Sequence, residues 1–140
     1  MEKVLLPIDG SDHSRRAIDF FIVTRTKHSG PVEAVLLNVQ PTPEIRALAM
    51  RPEVILSDLR QSAENELAEP RERLVAAGIP SKARIEFGDV AATVVEVARE
   101  EGCQQIIMGT RGRGAIAGLL LGSVATKVLH LTDVPVTFVK

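Results

Sequence analysis

The sequence predicts an α/β fold, a mostly parallel sheet covered by helices on both faces, and two observations carry the prediction. Short β-prone apolar runs alternate with helical stretches along all 140 residues, in the order βαβαβαβαβ. Parallel neighbours need crossovers, and right-handed crossovers lay the helices over the sheet. The composition, 45% hydrophobic and 25% charged, is that of a globular chain. One domain over residues 1–140 is expected.

Each element has its own signal. Val4-Leu5-Leu6-Pro7-Ile8 is a continuous apolar run ending at Asp9-Gly10-Ser11, as a buried strand and its turn would be. Ser11 is a good N-cap for a helix with Ala17, Phe20, Phe21 and Thr24 at helical spacing, stopped at Ser29-Gly30-Pro31. Val32 to Val39 is the second strand. Pro41, Pro43 and Pro52 make Gln40 to Pro52 a long loop, with one helical turn around Ile45 to Met50. A helix from about Glu53 to Ala77 carries Ile55, Leu59, Ala63, Leu67 and Leu74 on one side, is kinked by Pro70 and ends at Gly78. Lys82 to Phe87 alternates strictly, as a strand with one wet face does. Val90 to Glu101 is helical, Gln104 to Met108 is the fourth strand, a helix spans about Ser123 to Leu131, and Val134 to Val139 is the last strand.

Composition excludes several functions. Lys and Arg number 17 against 18 Asp and Glu, so no basic field calls for nucleic acid. Trp and Tyr are absent and Phe occurs four times, which argues against stacking platforms. The single Cys103 excludes an internal disulfide and a Cys-pair zinc site, and reads as a small buried hydrophobe. His13, His28 and His130 have no ligand spacing and suit surface or capping roles, so no metal ligands are assigned. Asp12-His13-Ser14 cannot form a triad, because adjacent helical residues diverge. The start of the chain is no secretory h-region, and Ala115 to Ala125 is about half of a roughly 20-residue membrane span. A cytoplasmic protein is expected.

Ligands of such sheets bind outside the carboxyl ends of the strands, where strand order reverses. Of the strand exits, only Gly109-Thr110-Arg111-Gly112-Arg113-Gly114 is unusual. Three glycines follow a strand and lead through an apolar loop to Gly122-Ser123 at a helix start. Glycine lets backbone amides approach an anion, and a helix N-terminus offers unpaired N–H groups. Ser123 adds a hydroxyl; Arg111 and Arg113 are alternatives for one charged contact. This reading competes with a plain Gly-rich surface loop and a Ser N-cap. A Walker A loop is excluded because Ala115-Ile116 stands where Lys-Ser/Thr is required. Gly112-x-Gly114-x-x-Ala117 matches a dinucleotide fingerprint only formally, since it follows the fourth strand and has no strand-end acid.

Gly109-Thr-Arg-Gly112, nine residues, then Gly122-Ser123 resembles the signature of the nucleotide-binding branch of the universal stress protein family. Val4 to Ser11, Phe87-Gly88-Asp89, Gly114 to Ala125 and Val134 to Val139 are similar to other parts of that family, so the resemblance covers the chain, most weakly from Thr42 to Ser81. It implies a three-layer, Rossmann-like sandwich, a five-stranded sheet of order 3-2-1-4-5 that binds ATP with Mg²⁺ between strands one and four. Carried over, Pro7, Ile8, Asp9 and Val39 lie at the adenine side, Met108 and Gly109 flank the ribose, and Gly112, Gly122, Ser123 and Val124 hold phosphates through main-chain amides. Asp9 would repel a triphosphate unless it faces the base or the metal, and its contact stays open. Ala125 departs from members with a hydroxyl there.

The implied role is regulatory or stress-protective. With no Walker lysine, no clustered metal carboxylates and no evident base, no catalytic residue is assigned and any ATP hydrolysis should be slow. Two alternatives are a dimeric interaction module without nucleotide and an ATP-using enzyme. An adenylating enzyme needs a Ser-Gly-Gly-x-Asp-Ser loop where Asp9-Gly10-Ser11-Asp12 stands, and a receiver needs paired acids after strand one. The apolar last strand, with Pro135 suited to an edge, predicts a homodimer through antiparallel pairing of that strand, and the resemblance points the same way.

Overall fold

The computed structural model describes residues 1–42, 51–112, 118 and 120–140. Five parallel strands form one sheet: β1 (Glu2–Pro7), β2 (Val32–Gln40), β3 (Ser81–Phe87), β4 (Gln105–Gly109) and β5 (Val136–Val139), in the order β3-β2-β1-β4-β5. The helices are α1 (Asp12–Thr26), α2 (Pro52–Ala76), α3 (Val90–Glu101) and α4 (Ser123–Leu131). The α/β class, the strand order and the three layers are as expected from the sequence.

Two cores flank the sheet. Val4, Leu6 and Ile8 pack with Ala17, Ile18 and Phe21 of α1 and Leu67 and Leu74 of α2. Leu5, Val35 and Leu37 pack with Val94 and Ala98 of α3 and Ala125 and Val128 of α4. Alternate residues of one strand therefore feed opposite cores, which explains why β1 reads as an unbroken apolar run rather than an alternating one.

The departures from expectation have local causes. Phe21 is fully buried but Phe20 is 40% exposed, because the buried stripe of α1 runs through Ser14, Ala17, Ile18 and Phe21. Pro52 opens α2 instead of ending the loop; its missing amide costs nothing at the first helical position. The helix continues through a buried Pro70 to Ala76, and Leu59 is only partly covered. β3 has no wet face. Ala83 and Ile85 pack against the first core, while Arg84 reaches Glu100 at 2.8 Å and Glu101 at 3.1 Å, and Lys82 reaches Glu101 at 2.7 Å. Gln104 precedes β4 and bonds to Lys3 through both its backbone N–H and its side-chain Oε1. β5 begins two residues later than expected, at Val136. The expected turn around Ile45 to Met50 lies outside the described residues.

Candidate functional site

β1 and β4 are neighbours in the sheet, yet their partners lie on opposite sides, β2 beyond β1 and β5 beyond β4. The crevice at their carboxyl ends is thus the switch point of the fold. A cavity of about 400 Å³ opens there.

The residues singled out in the sequence converge on it. Pro7, Ile8 and Asp9 come from the exit of β1, Val39 from β2, and Met108 and Gly109 from the end of β4. Arg111 and Gly112 follow in the next loop, and Gly122, Ser123 and Val124 begin α4. Arg113 lies outside the described residues. The cavity has further walls that motif reasoning passed over: Ser14, Leu37, Pro41, Val90 and Val94, with Ala125 beside Val124. Strand and helix periodicity could have found some of them, since Leu37 is two residues before Val39 and Val94 is one helical turn after Val90.

The lining is mixed: Pro7, Leu37, Val39, Val90, Val94 and Met108 are apolar, while Asp9, Arg111, Ser123 and the start of α4 bring charge and polar groups. Asp9 holds its own turn: Oδ1 accepts the Ser11 N–H at 2.9 Å, and Gly10 takes the left-handed backbone, φ 79°, that this turn needs. Ser11 is the N-cap of α1, accepting the Ser14 N–H at 3.2 Å. The other carboxylate oxygen of Asp9 lies where a Cβ on residue 112 would stand. A Cβ on residue 109 would lie 2.7 Å from His13 Cβ and 2.9 Å from its carbonyl carbon. Gly109 and Gly112 therefore let the loop after β4 close on Asp9 and on the start of α1, a packing requirement that holds with or without an anion.

The start of α4 refines the expected donor set. The Gly122 N–H donates to the Thr110 carbonyl at 2.7 Å, which joins the strand-end and helix-start arms of the loop. That amide is engaged within the protein. Ser123 is the first helical residue and Gly122 the N-cap, with no side chain to satisfy the first turn. The N–H groups of Ser123, Val124 and Ala125 are consequently without helical partners, next to the cavity they line. They carry the partial positive charge of the helix terminus.

Other polar groups near the rim are employed elsewhere. Asp89 caps α3 through the Ala92 N–H at 3.0 Å and pairs with Lys127 of α4 at 2.9 Å. The Lys127 ammonium, the Ala92 amide and the lysine's charge together lower its carboxylate pKa. His13 sits between the loop and Arg16, whose Nη2 is 3.0 Å from its Nδ1. Partial burial, then Arg16 and Arg111, lower its pKa from the ordinary 6.5. The His28 ring donates from Nδ1 to the Thr24 carbonyl at 2.6 Å, near the end of α1. Cys103 is buried in the second core, and desolvation pushes its thiol up to about 11, so it is held as an unreactive thiol.

The comparisons bear on the whole chain. The model of the universal stress protein family matches residues 1–140. A universal stress protein of Thermus aquaticus, encoded in the QAH/OAS sulfhydrylase 3' region, is 31% identical over 138 residues, covering 98% of this chain and 97% of its own. The solved structure of MJ0577, a universal stress protein of Methanocaldococcus jannaschii, superposes with a TM-score of 0.89 at 29% identity, over 99% of this chain and 95% of that one. A universal stress protein solved in complex with cAMP superposes with a TM-score of 0.72 at 25% identity, over 99% and 97%. Sheet order, glycine spacing and family model thus agree over the full length, and the chain belongs to the universal stress protein family.

Proposed function

We propose that this protein binds ATP with Mg²⁺ in the crevice between β1 and β4 and acts as a regulatory or stress-protective nucleotide binder, not as a metabolic ATPase. The observation that carries the reading is the cavity's mixed lining, apolar side chains from β1, β2, α3 and β4 together with the uncapped first turn of α4. A nucleotide offers the same two kinds of surface. The volume, about 400 Å³, is in the range of small-molecule sites. The base would lie against Pro7, Ile8 and Val39 with Asp9 near it, the ribose by Met108 and Gly109, and the phosphates by Gly112 and beside Gly122, on the free amides of Ser123 and Val124, with Arg111 as the charged contact. The relative solved with cAMP supports an adenine nucleotide as the ligand class.

Magnesium would arrive on the phosphates. Among the described residues no group of three His, Cys, Asp or Glu side chains is placed to hold a metal ion, and Asp9 is the one carboxylate among those lining the cavity. The reading includes a homodimer formed through β5 and a cytoplasmic protein. No helix of the described residues is long and apolar enough to cross a membrane.

Calorimetric titration with MgATP tests the reading. Binding should raise thermal stability, by about 2.7 kcal/mol at 100 times the dissociation constant. No heat of binding and no shift in melting at millimolar MgATP, AMP or cAMP would remove it. Steady-state phosphate release should stay below about 1 s⁻¹, the low end of ordinary turnover, because among the described residues the cavity lining includes no lysine and no evident base for a phosphoryl group. Release at tens per second that is lost in Asp9→Ala would make the protein an enzyme.

A further inference from the structure

Asn38 interrupts the buried run of β2 and is 1% exposed. Its neighbours Leu37 and Val39 line the large cavity. Successive strand residues point to opposite faces, so Asn38 points to the layer of α1 and α2. There its Nδ2 donates to the Ile8 carbonyl at 2.9 Å and to Glu66 Oε2 of α2 at 2.6 Å, and its Oδ1 accepts from Gln40 Nε2 at 2.8 Å. Both amide protons and the carbonyl are used, as burial of an amide requires.

The residue so held is the last before the Asp9 turn. The Ile8 N–H donates to the Leu37 carbonyl at 2.8 Å, in the ladder of β1 with β2, and its carbonyl is taken by Asn38. Both backbone polar groups of Ile8 are therefore fixed by β2. Ile8 lines the large cavity and also a smaller one of about 210 Å³ between α1 and α2, which Glu66 lines as well. An apolar side chain at position 38 could fill the same layer but would leave the Ile8 carbonyl without this donor.

We propose that Asn38 is a positioning residue for the nucleotide: by holding the Ile8 carbonyl it sets the Ile8–Asp9 corner of the cavity, and through Glu66 it makes the seating of α2 part of that setting. The inference rests on the nucleotide reading above. A ligand thus meets a wall whose position depends on a helix that it does not touch.

The test separates support of the fold from support of the site. Asn38→Asp accepts only, so it cannot serve the Ile8 carbonyl, and it sets a carboxylate against Glu66. Adding Glu66→Gln returns a donor toward residue 38 and removes the like-charge pair, yet still gives the Ile8 carbonyl nothing. Melting temperature and MgATP affinity are measured for wild type, Asn38→Asp and the double variant. The expected result is that Asn38→Asp loses both stability and at least tenfold in affinity, and that the double variant regains part of its melting temperature while affinity stays at least tenfold weak. Affinity that returns together with stability would make Asn38 structural only, and wild-type affinity in Asn38→Asp would overturn the proposal outright. Should Asn38→Asp not fold, Asn38→Ser, too short to reach both partners, should fold and bind at least tenfold more weakly; unchanged affinity there would overturn it too. A wild type that binds no MgATP fails at the first titration, which identifies the nucleotide reading as the fault.

Discussion

A single methyl group decides much at the crevice. Gly109→Ala would drive a Cβ into the backbone of His13, so a loss of about 1–3 kcal/mol is expected, the range for overpacking a tight contact; urea unfolding measures it. Gly122 behaves oppositely. Its φ of −71° suits any residue, and its nearest neighbour, Arg111 Cα, would be at an ordinary 3.4 Å from a Cβ. Gly122→Asp should therefore cap α4, raise apo stability by a few tenths of a kcal/mol, and abolish MgATP binding by placing its own carboxylate on the amides that a phosphate needs. Calorimetry beside a melting curve would record the two opposite changes. His13 adds a pH dependence. Its folded pKa is lowered, so below 6.5 the unfolded chain binds more protons and stability falls with pH across that window. Melting curves between pH 7.5 and about 5 should show a slope that His13→Asn removes.

Among the elements, β3 depends most on charge. Arg84 stands among Glu86, Glu100 and Glu101, and removing it leaves Lys82, on Glu101, as the remaining cation among the described residues paired with these three carboxylates. Arg84→Met should cost more than the roughly 0–1 kcal/mol of an exposed pair. Part of the loss should return at high salt, which screens the residual repulsion; urea titrations at low and high ionic strength would check both points. β3 also marks where the sequence stops being legible. Its alternation, Lys82-Ala83-Arg84-Ile85-Glu86, is local and was readable. That its charged side is partly covered by the end of α3 depends on residues up to 19 positions away, such as the Lys82–Glu101 pair. The same divide runs through the site. The glycine spacing from Gly109 to Gly122 lies within one loop and pointed to the cavity. The engagement of the Gly122 amide by Thr110, and the bonds from Asn38 to Ile8 and Glu66, are long-range contacts with no periodic trace. Element order was legible for the same reason: apolar period and turn residues are properties of short windows.

At the scale of the whole molecule, the sheet has two unlike margins. β5 pairs only with β4, and the Ile106 N–H to the Pro135 carbonyl and the Thr110 N–H to the Val139 carbonyl fix which of its groups face inward. In a parallel ladder these alternate, so the amides of Val136 and Phe138 face away from β4. Val136→Pro keeps a similar bulk against the second core, removes one outward amide, and follows a residue already suited to extended backbone. Light scattering at tens of micromolar should give a dimer for the wild type and a mass near 15.1 kDa for the variant, with helical content unchanged by circular dichroism. A wild type of 15.1 kDa would exclude the dimer.

The opposite margin, β3, carries Lys82, Arg84 and Glu86, charges already committed to α3 and to one another. A second strand laid there would have to displace or desolvate them. Growth through sheet edges can therefore begin at β5 but finds no second sticky end on which to continue. If two copies pair through β5 as proposed, that edge is used up in the pairing, and the dimer would be its own end point rather than the first step of a longer sheet.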